Sequence, residues 1–246
     1  DNDKVHDFTF TNPETQESVK KEEIKKKVDF GGADPNKFFK NEYYELLKLS
    51  LALNLEMMIK EDESIEQESK TDEAFYDLLH WFGVKIYPTK QQYAQNMKTI
   101  PFSSSRKRMS TIIYNSQFNG TGYRMFIKGG SELIIGCVSR YINPTNNQEE
   151  LFNDEKRNQY MKEMKSFNDE SLRTIAIAYK DITKEQFDNF ESTERDADGV
   201  YSFEKSEFTL IGMAGIKDTL KKGVPQAVLN CNSAGITVIM VTGDNK

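Results

Sequence analysis

Val238-Ile239-Met240-Val241-Thr242-Gly243-Asp244-Asn245 runs a short, β-branched apolar segment directly into a Gly-Asp turn. Phosphate sites are built at such junctions. Working outward, Phe208 to Ile216 reads as a strand and Val224 to Ser233 as a helix. Pro225 suits the first helical turn and Gly235 the stop, and Ile236 to Val241 reads as a second strand. Together they predict a right-handed βαβ unit. Both strands then end on one edge of a parallel sheet, which brings the loop of Asp218 close to Thr242, Gly243 and Asp244. Ligands of open α/β sheets bind outside such carboxyl ends.

Four ordered motifs extend this reading over most of the chain. They are the string 218–225, Asp-Thr-Leu-Lys-Lys-Gly-Val-Pro, continued by 234–245; 102–110, Phe-Ser-Ser-Ser-Arg-Lys-Arg-Met-Ser; 128–132, Lys-Gly-Gly-Ser-Glu; and 172–179, Leu-Arg-Thr-Ile-Ala-Ile-Ala-Tyr. In their order along the chain they resemble the nucleotide-binding and phosphorylation-domain signatures of P-type ATPases. Lys-Thr-Asp-Glu-Ala at 70–74 and Arg-Met-Ser-Thr at 108–111 look most like the calcium pumps of the plasma-membrane type. Lipid flippases are similar but usually differ at these points.

The resemblance implies an α+β fold: a mixed, mainly antiparallel sheet flanked by helices over residues 1–209. A short βαβ piece of a haloacid-dehalogenase-like phosphorylation domain follows over 210–246. The Asp-Lys-Thr-Gly-Thr string that holds the family's phosphorylated aspartate does not occur in the 246 residues, and the family's Gly-Asp-Gly-x-Asn-Asp magnesium segment would lie beyond Lys246. No stretch approaches the roughly 20 apolar residues of a membrane helix. The expectation is therefore a soluble, cytosolic piece of a membrane pump. Its partners are ATP, the remaining pump domains and membrane helices, and a transported cation that resemblance alone identifies as Ca2+. Mg2+ would be a cofactor together with the complete phosphorylation domain.

Composition fits this class. Lys and Arg total 33 against 39 Asp and Glu, a net charge of −6, which disfavours a nucleic-acid partner because phosphate neutralisation needs clustered excess cation. Cys137 and Cys231 have no CxxC spacing and no His neighbours, so they read as reduced, partly buried thiols. Helices are expected over 36–55 and over 71–82, the latter with Thr71 as N-cap, with an exposed acidic loop at 60–69 between them. Thr99–Phe102, Met109–Asn115 and Tyr123–Lys128 read as antiparallel strands, the last two joined through Gly120 and Gly122. Ser131–Ser139 and Glu149–Phe167 read as helices, and Thr174–Tyr179 as a strand. Lys180–Asp198 reads as a loop with a helical turn inside.

A nucleotide needs an apolar slot for its base, positive charge for its phosphates and backbone that can come close. Phe102 sits where a strand meets the polar Ser103–Ser105, and by resemblance it stacks on adenine. Lys128 closes a strand before Gly129 and Gly130, which lack side chains to hold a ligand off, and it would form a floor beneath the base. Lys107 and Arg173 resemble the family's other cationic contacts, and Arg grips phosphate oxygens in bidentate fashion. Asp72 stands where calcium pumps carry Glu, with Glu73 beside it, and either could meet the base edge. Thr242 and Gly243 would offer a hydroxyl and an N–H to the γ-phosphoryl, with Asp218 and Asp244 bordering the hinge. An ordinary solvated or core role is open for each residue singly; Asx turns, for example, would explain both Asp218 and Asp244.

Three functions compete. The first is an ATP-binding part of a P-type calcium-transporting ATPase, inactive by itself because the phosphorylated aspartate is missing, with a lipid flippase as a close variant. The second is an independent haloacid-dehalogenase-class phosphotransferase. It does not explain Phe102, Lys128 and Arg173 in this order. The third is a non-enzymatic binding module.

Overall fold

A computed structural model describes residues 9–11, 18–20, 41–67, 70–118, 120–144, 146–217 and 223–241. The chain divides into two compact units, Asp1–Ile216 and Lys217–Lys246.

In the first unit a short antiparallel ribbon of β1 (Thr9–Thr11) and β2 (Ser18–Lys20) precedes α1 (Asn41–Leu53). The acidic segment expected as an exposed loop is a mostly exposed turn at 60–64, but it closes a small hairpin of β3 (Met58–Ile59) and β4 (Ile65–Gln67). Its tip has a structural task. Both carboxylate oxygens of Glu63 accept the backbone N–H groups of Ile86 and Tyr87, each at 2.9 Å. They thereby cap α3 (Ile86–Tyr93), whose N-cap residue Lys85 offers no side-chain bond. Between them α2 runs from Lys70 to Trp81, one residue earlier than expected, so Thr71 lies inside the helix and does not cap it.

The body of the unit is a seven-stranded sheet in the order β5-β6-β7-β10-β11-β8-β9. These strands are β5 (Lys98–Ile100), β6 (Arg108–Tyr114), β7 (Tyr123–Gly130), β8 (Val138–Asn143), β9 (Gln148–Leu151), β10 (Leu172–Ile182) and β11 (Phe208–Lys217). It is mixed and mainly antiparallel, as expected, with β11 parallel to β8. Three helices accompany it: α4 (Ser131–Gly136), α5 (Asp154–Asp169) and α6 (Lys184–Asp188). The helices expected over 131–139 and 149–167 are thus each shorter. The end of the first is taken by β8, because the Val, Tyr and Ile of 138–142 hold a strand better than a helix, and the start of the second by β9, which pairs with β8.

Side chains alternate across the sheet with period two, which produces two cores. Ile112, Met125, Ile127, Ala176, Ala178 and Leu210 join Ile134 and Ile135 of α4, Tyr160 of α5 and Phe187 of α6. Their immediate neighbours Ile113, Phe126, Ile177, Tyr179 and Ile211 face Leu51 of α1, Phe75 and Leu79 of α2 and Ile86 of α3. The sheet is therefore the middle layer between two sets of helices.

The second unit contains α7 (Val224–Ser233), opened by Gly223 with Pro225 in its first turn as the sequence requires. The expected second strand, Ile236–Val241, is not formed. A strand needs partners for its alternate N–H and C=O groups, and no other strand lies among the described residues of this unit. Val241 is 91% exposed. The strand at 208–216, read as the opening of a βαβ unit, is instead the β11 of the seven-stranded sheet, between β10 and β8.

Candidate nucleotide site

Strand register gathers the upstream motifs. β5 pairs with β6 so that Ile100 faces Ser110, and β6 with β7 so that Arg108 faces Gly129 and Met109 faces Lys128. On the other side of β7, Ala176 of β10 faces Gly129 and Ile175 faces Gly130. Phe102 lies two residues past Ile100, and Arg173 two residues before Ile175. Phe102, Lys107, Lys128, Gly129 and Arg173 therefore meet at one end of four adjacent strands.

Phe102 is 48% exposed, in the loop beyond β5 and not within it. No core holds its ring. Lys107 is exposed, with φ +51, and its N–H donates to the Ser103 carbonyl at 2.7 Å. Arg173 is exposed and donates from Nη1 to the Thr71 hydroxyl at 3.1 Å, which ties the start of β10 to the first turn of α2.

Lys128 departs from expectation. Its strand end is not open: the residue is 7% exposed, its ammonium forms an ion pair with Asp72, and the Phe75 ring centroid lies 5.5 Å away. Period two explains this. Lys128 follows Phe126 on the face covered by α2, so its side chain is directed under the helix. Burial lowers its pKa from the usual lysine value, with Asp72 opposing the shift. Asp72 is itself buried, and its second oxygen accepts the Glu56 N–H at 2.7 Å. Of the two acidic candidates, Asp72 is therefore the one joined to Lys128.

Sequence reading missed Lys90, whose Nζ donates to the carbonyls of Leu55 at 2.6 Å and Met57 at 3.5 Å. Burial brings its pKa down to about 8, opposed by Asp72 and reinforced by Lys128. Nothing local to Tyr-Pro-Thr-Lys marks this role, because the partners lie more than thirty residues away.

The two glycines differ. A Cβ on Gly129 would stand 2.7 Å from the Lys107 carbonyl oxygen and 2.9 Å from Arg108 Cβ, so closeness to β6 requires glycine there. A Cβ on Gly130 would meet nothing within 4 Å. Open space therefore lies at Gly130 and not at Gly129. Asp218, Thr242, Gly243 and Asp244 lie outside the described residues.

Two polar clefts of about 270 and 420 Å3 lie around Tyr179 and Glu149, towards the other end of β10, and include none of the candidate residues. Cys137 and Cys231 are free and half-buried. No helix among the described residues is long and apolar enough to cross a membrane.

The family model described as P-type ATPase, cytoplasmic domain N, matches residues 42–223. The chain is 34% identical over 177 residues to the calcium-transporting ATPase PAT1 of Dictyostelium discoideum, covering 72% of this chain and 14% of that protein. Identity is 32% over 201 residues to the plasma membrane calcium-transporting ATPase mca-1 of Caenorhabditis elegans, 76% of this chain and 16% of the relative. To human plasma membrane calcium-transporting ATPase 4 it is 37% over 148 residues, 60% of this chain and 11% of the relative. The chain thus spans well under a fifth of the length of these relatives. Its sheet, its motifs and the domain match agree: the chain belongs to the P-type ATPases, through their cytoplasmic domain N.

Proposed function

We propose that this chain binds ATP at the end of β5, β6, β7 and β10 and presents its γ-phosphoryl to an aspartate that lies outside these 246 residues, in the cycle of a calcium-transporting pump. The observation that carries this reading is the convergence of the exposed Phe102 with Lys107, Gly130 and Arg173 around the buried Lys128–Asp72 pair. Adenine stacks on the free face of Phe102. The Lys128 pair forms the wall of the base slot, and Lys107 and Arg173, both exposed, meet the phosphates. Calcium as the cargo rests on the names of the relatives.

Among the described residues no group of three or more His, Cys, Asp or Glu is placed to hold a metal. At the candidate site Asp72 is taken up by Lys128 and the Glu56 N–H, a donor set unlike the several oxygens that Mg2+ requires. Mg2+ would arrive on the nucleotide's phosphates.

An open cleft with one stack and a few charges gives weak binding, on the order of 0.1 to a few mM. Calorimetric titration with ATP and ADP tests this. Phe102→Ala should weaken binding about fivefold or more, since a base stack contributes roughly 1 to 3 kcal/mol. Unchanged affinity in that variant removes Phe102 from the site.

A further inference from the structure

We propose that Glu204 is a positioning residue for the loop 101–107, setting Phe102 through Arg106; the role rests on the nucleotide reading of that loop. Glu204 is fully buried in a short 3-10 turn, Ser202–Glu204, 98 residues along the chain from Arg106. One carboxylate oxygen accepts both Arg106 Nη2 and the Ser110 hydroxyl, the latter at 2.6 Å. The other accepts the Tyr201 N–H at 3.1 Å. Its backbone carbonyl accepts Arg108 Nη1, also at 3.1 Å. Arg106 passes this anchorage to the loop. Its Nη1 donates to the carbonyl of Pro101 at 2.7 Å, immediately before Phe102, and its N–H donates to the Ser103 hydroxyl at 3.2 Å. Arg106 Nε has no partner, so Pro101 and Glu204 between them set the guanidinium.

The loop has no apolar anchor of its own: Phe102 is half exposed and three serines follow. Without the Arg106 clasp its ordering would be charged against every binding event, whereas a loop already held presents its ring at no such cost. Glutamine cannot replace Glu204 here. Each of its oxygens meets a donor, so whichever way the amide turns, its NH2 faces an N–H or O–H.

The test uses the 246-residue chain carrying Glu204→Gln, with Arg106→Lys as a second variant that keeps the charge facing Glu204 but cannot reach both partners. Without nucleotide, amide hydrogen exchange at Arg106 and Lys107 should quicken about tenfold while the amides of β7 and β10 keep their protection. With ATP, affinity should fall about five- to tenfold, and by less than about twofold when Phe102 is already Ala, because both changes act on one stacking contact. A merely structural loss would add to the Phe102→Ala effect, and that additivity overturns the proposal. Unchanged exchange at 106–107 in both variants overturns the clasp itself. If the parent chain binds no ATP, the nucleotide reading falls and the role of the loop with it, whatever the exchange shows.

Discussion

Lys128 shows what a strand-end lysine can conceal. Its position before two glycines is legible in the sequence, but its burial is not, because the carboxylate that neutralises it lies 56 residues away on α2. Removing one member of a buried pair leaves the other charged in a poorly hydrated place. Lys128→Ala should therefore cost about 2 to 4 kcal/mol in urea unfolding, despite the help Lys90 gives Asp72. A Lys128→Met, Asp72→Asn double variant should recover part of that loss, and no recovery would show that the pair is not the cause. Lys90 adds a pH signature. Its folded pKa of about 8 lies below the usual 10.5, so between these values the unfolded chain holds a proton that the folded one has released. Stability should then rise as pH increases from about 8. Burial raises Tyr43, Tyr44 and Tyr179, Tyr44 to about 12, so above pH 10 the unfolded tyrosines ionise first and stability falls again. Unfolding curves at stepped pH should peak near 10, and Lys90→Met should make the rising limb, to which the buried Lys128 and Lys180 also contribute, shallower while leaving the falling limb in place.

Elements were legible where period and chemistry agreed. β6 and β7 are strongly apolar, α2 carries Phe75 and Leu79 at helical spacing, and Gly122 with φ +76 marks the turn between the strands. Elements were misread where the pattern is brief: α4 is six residues long and passes into β8 after a single turn residue, so no full helical period separates them. The hairpin at 58–67 was illegible because it is held by Glu63 reaching α3, not by an apolar face. Gly129 and Gly130 make the element-scale prediction. Gly129→Ala should destabilise β7 by about 1 to 3 kcal/mol, since the β6 backbone must move aside. Gly130→Ala, at φ −53 and with open space, should fold like the parent yet weaken ATP binding. Thermal melts and nucleotide titrations of the two variants separate these outcomes; equal melting temperatures would contradict the steric account of Gly129.

At the scale of the molecule, the family and the sheet could be read from ordered motifs, but the fate of 236–241 could not. Val-Ile-Met-Val has strand propensity, and propensity does not supply a neighbour. The nucleotide reading places an acceptor aspartate outside these residues, so incubation with γ-labelled ATP, Mg2+ and Ca2+ should leave no acid-stable label. Label that disappears on Asp218→Asn or Asp244→Asn would instead indicate an independent phosphotransferase.

The register that gathers Phe102, Lys128 and Arg173 also sets a timetable. A chain leaving the ribosome holds the loop at 102 and the glycines at 129 long before residue 173 arrives to complete β10 beside β7. Until that closure the proposed slot for a base lacks one of its sides, and the Glu204 anchor comes later still. Nucleotide is thus excluded as an early folding guide. It can only favour a chain in which β10 has already joined β7, so its binding reports that this long-range pairing has been made.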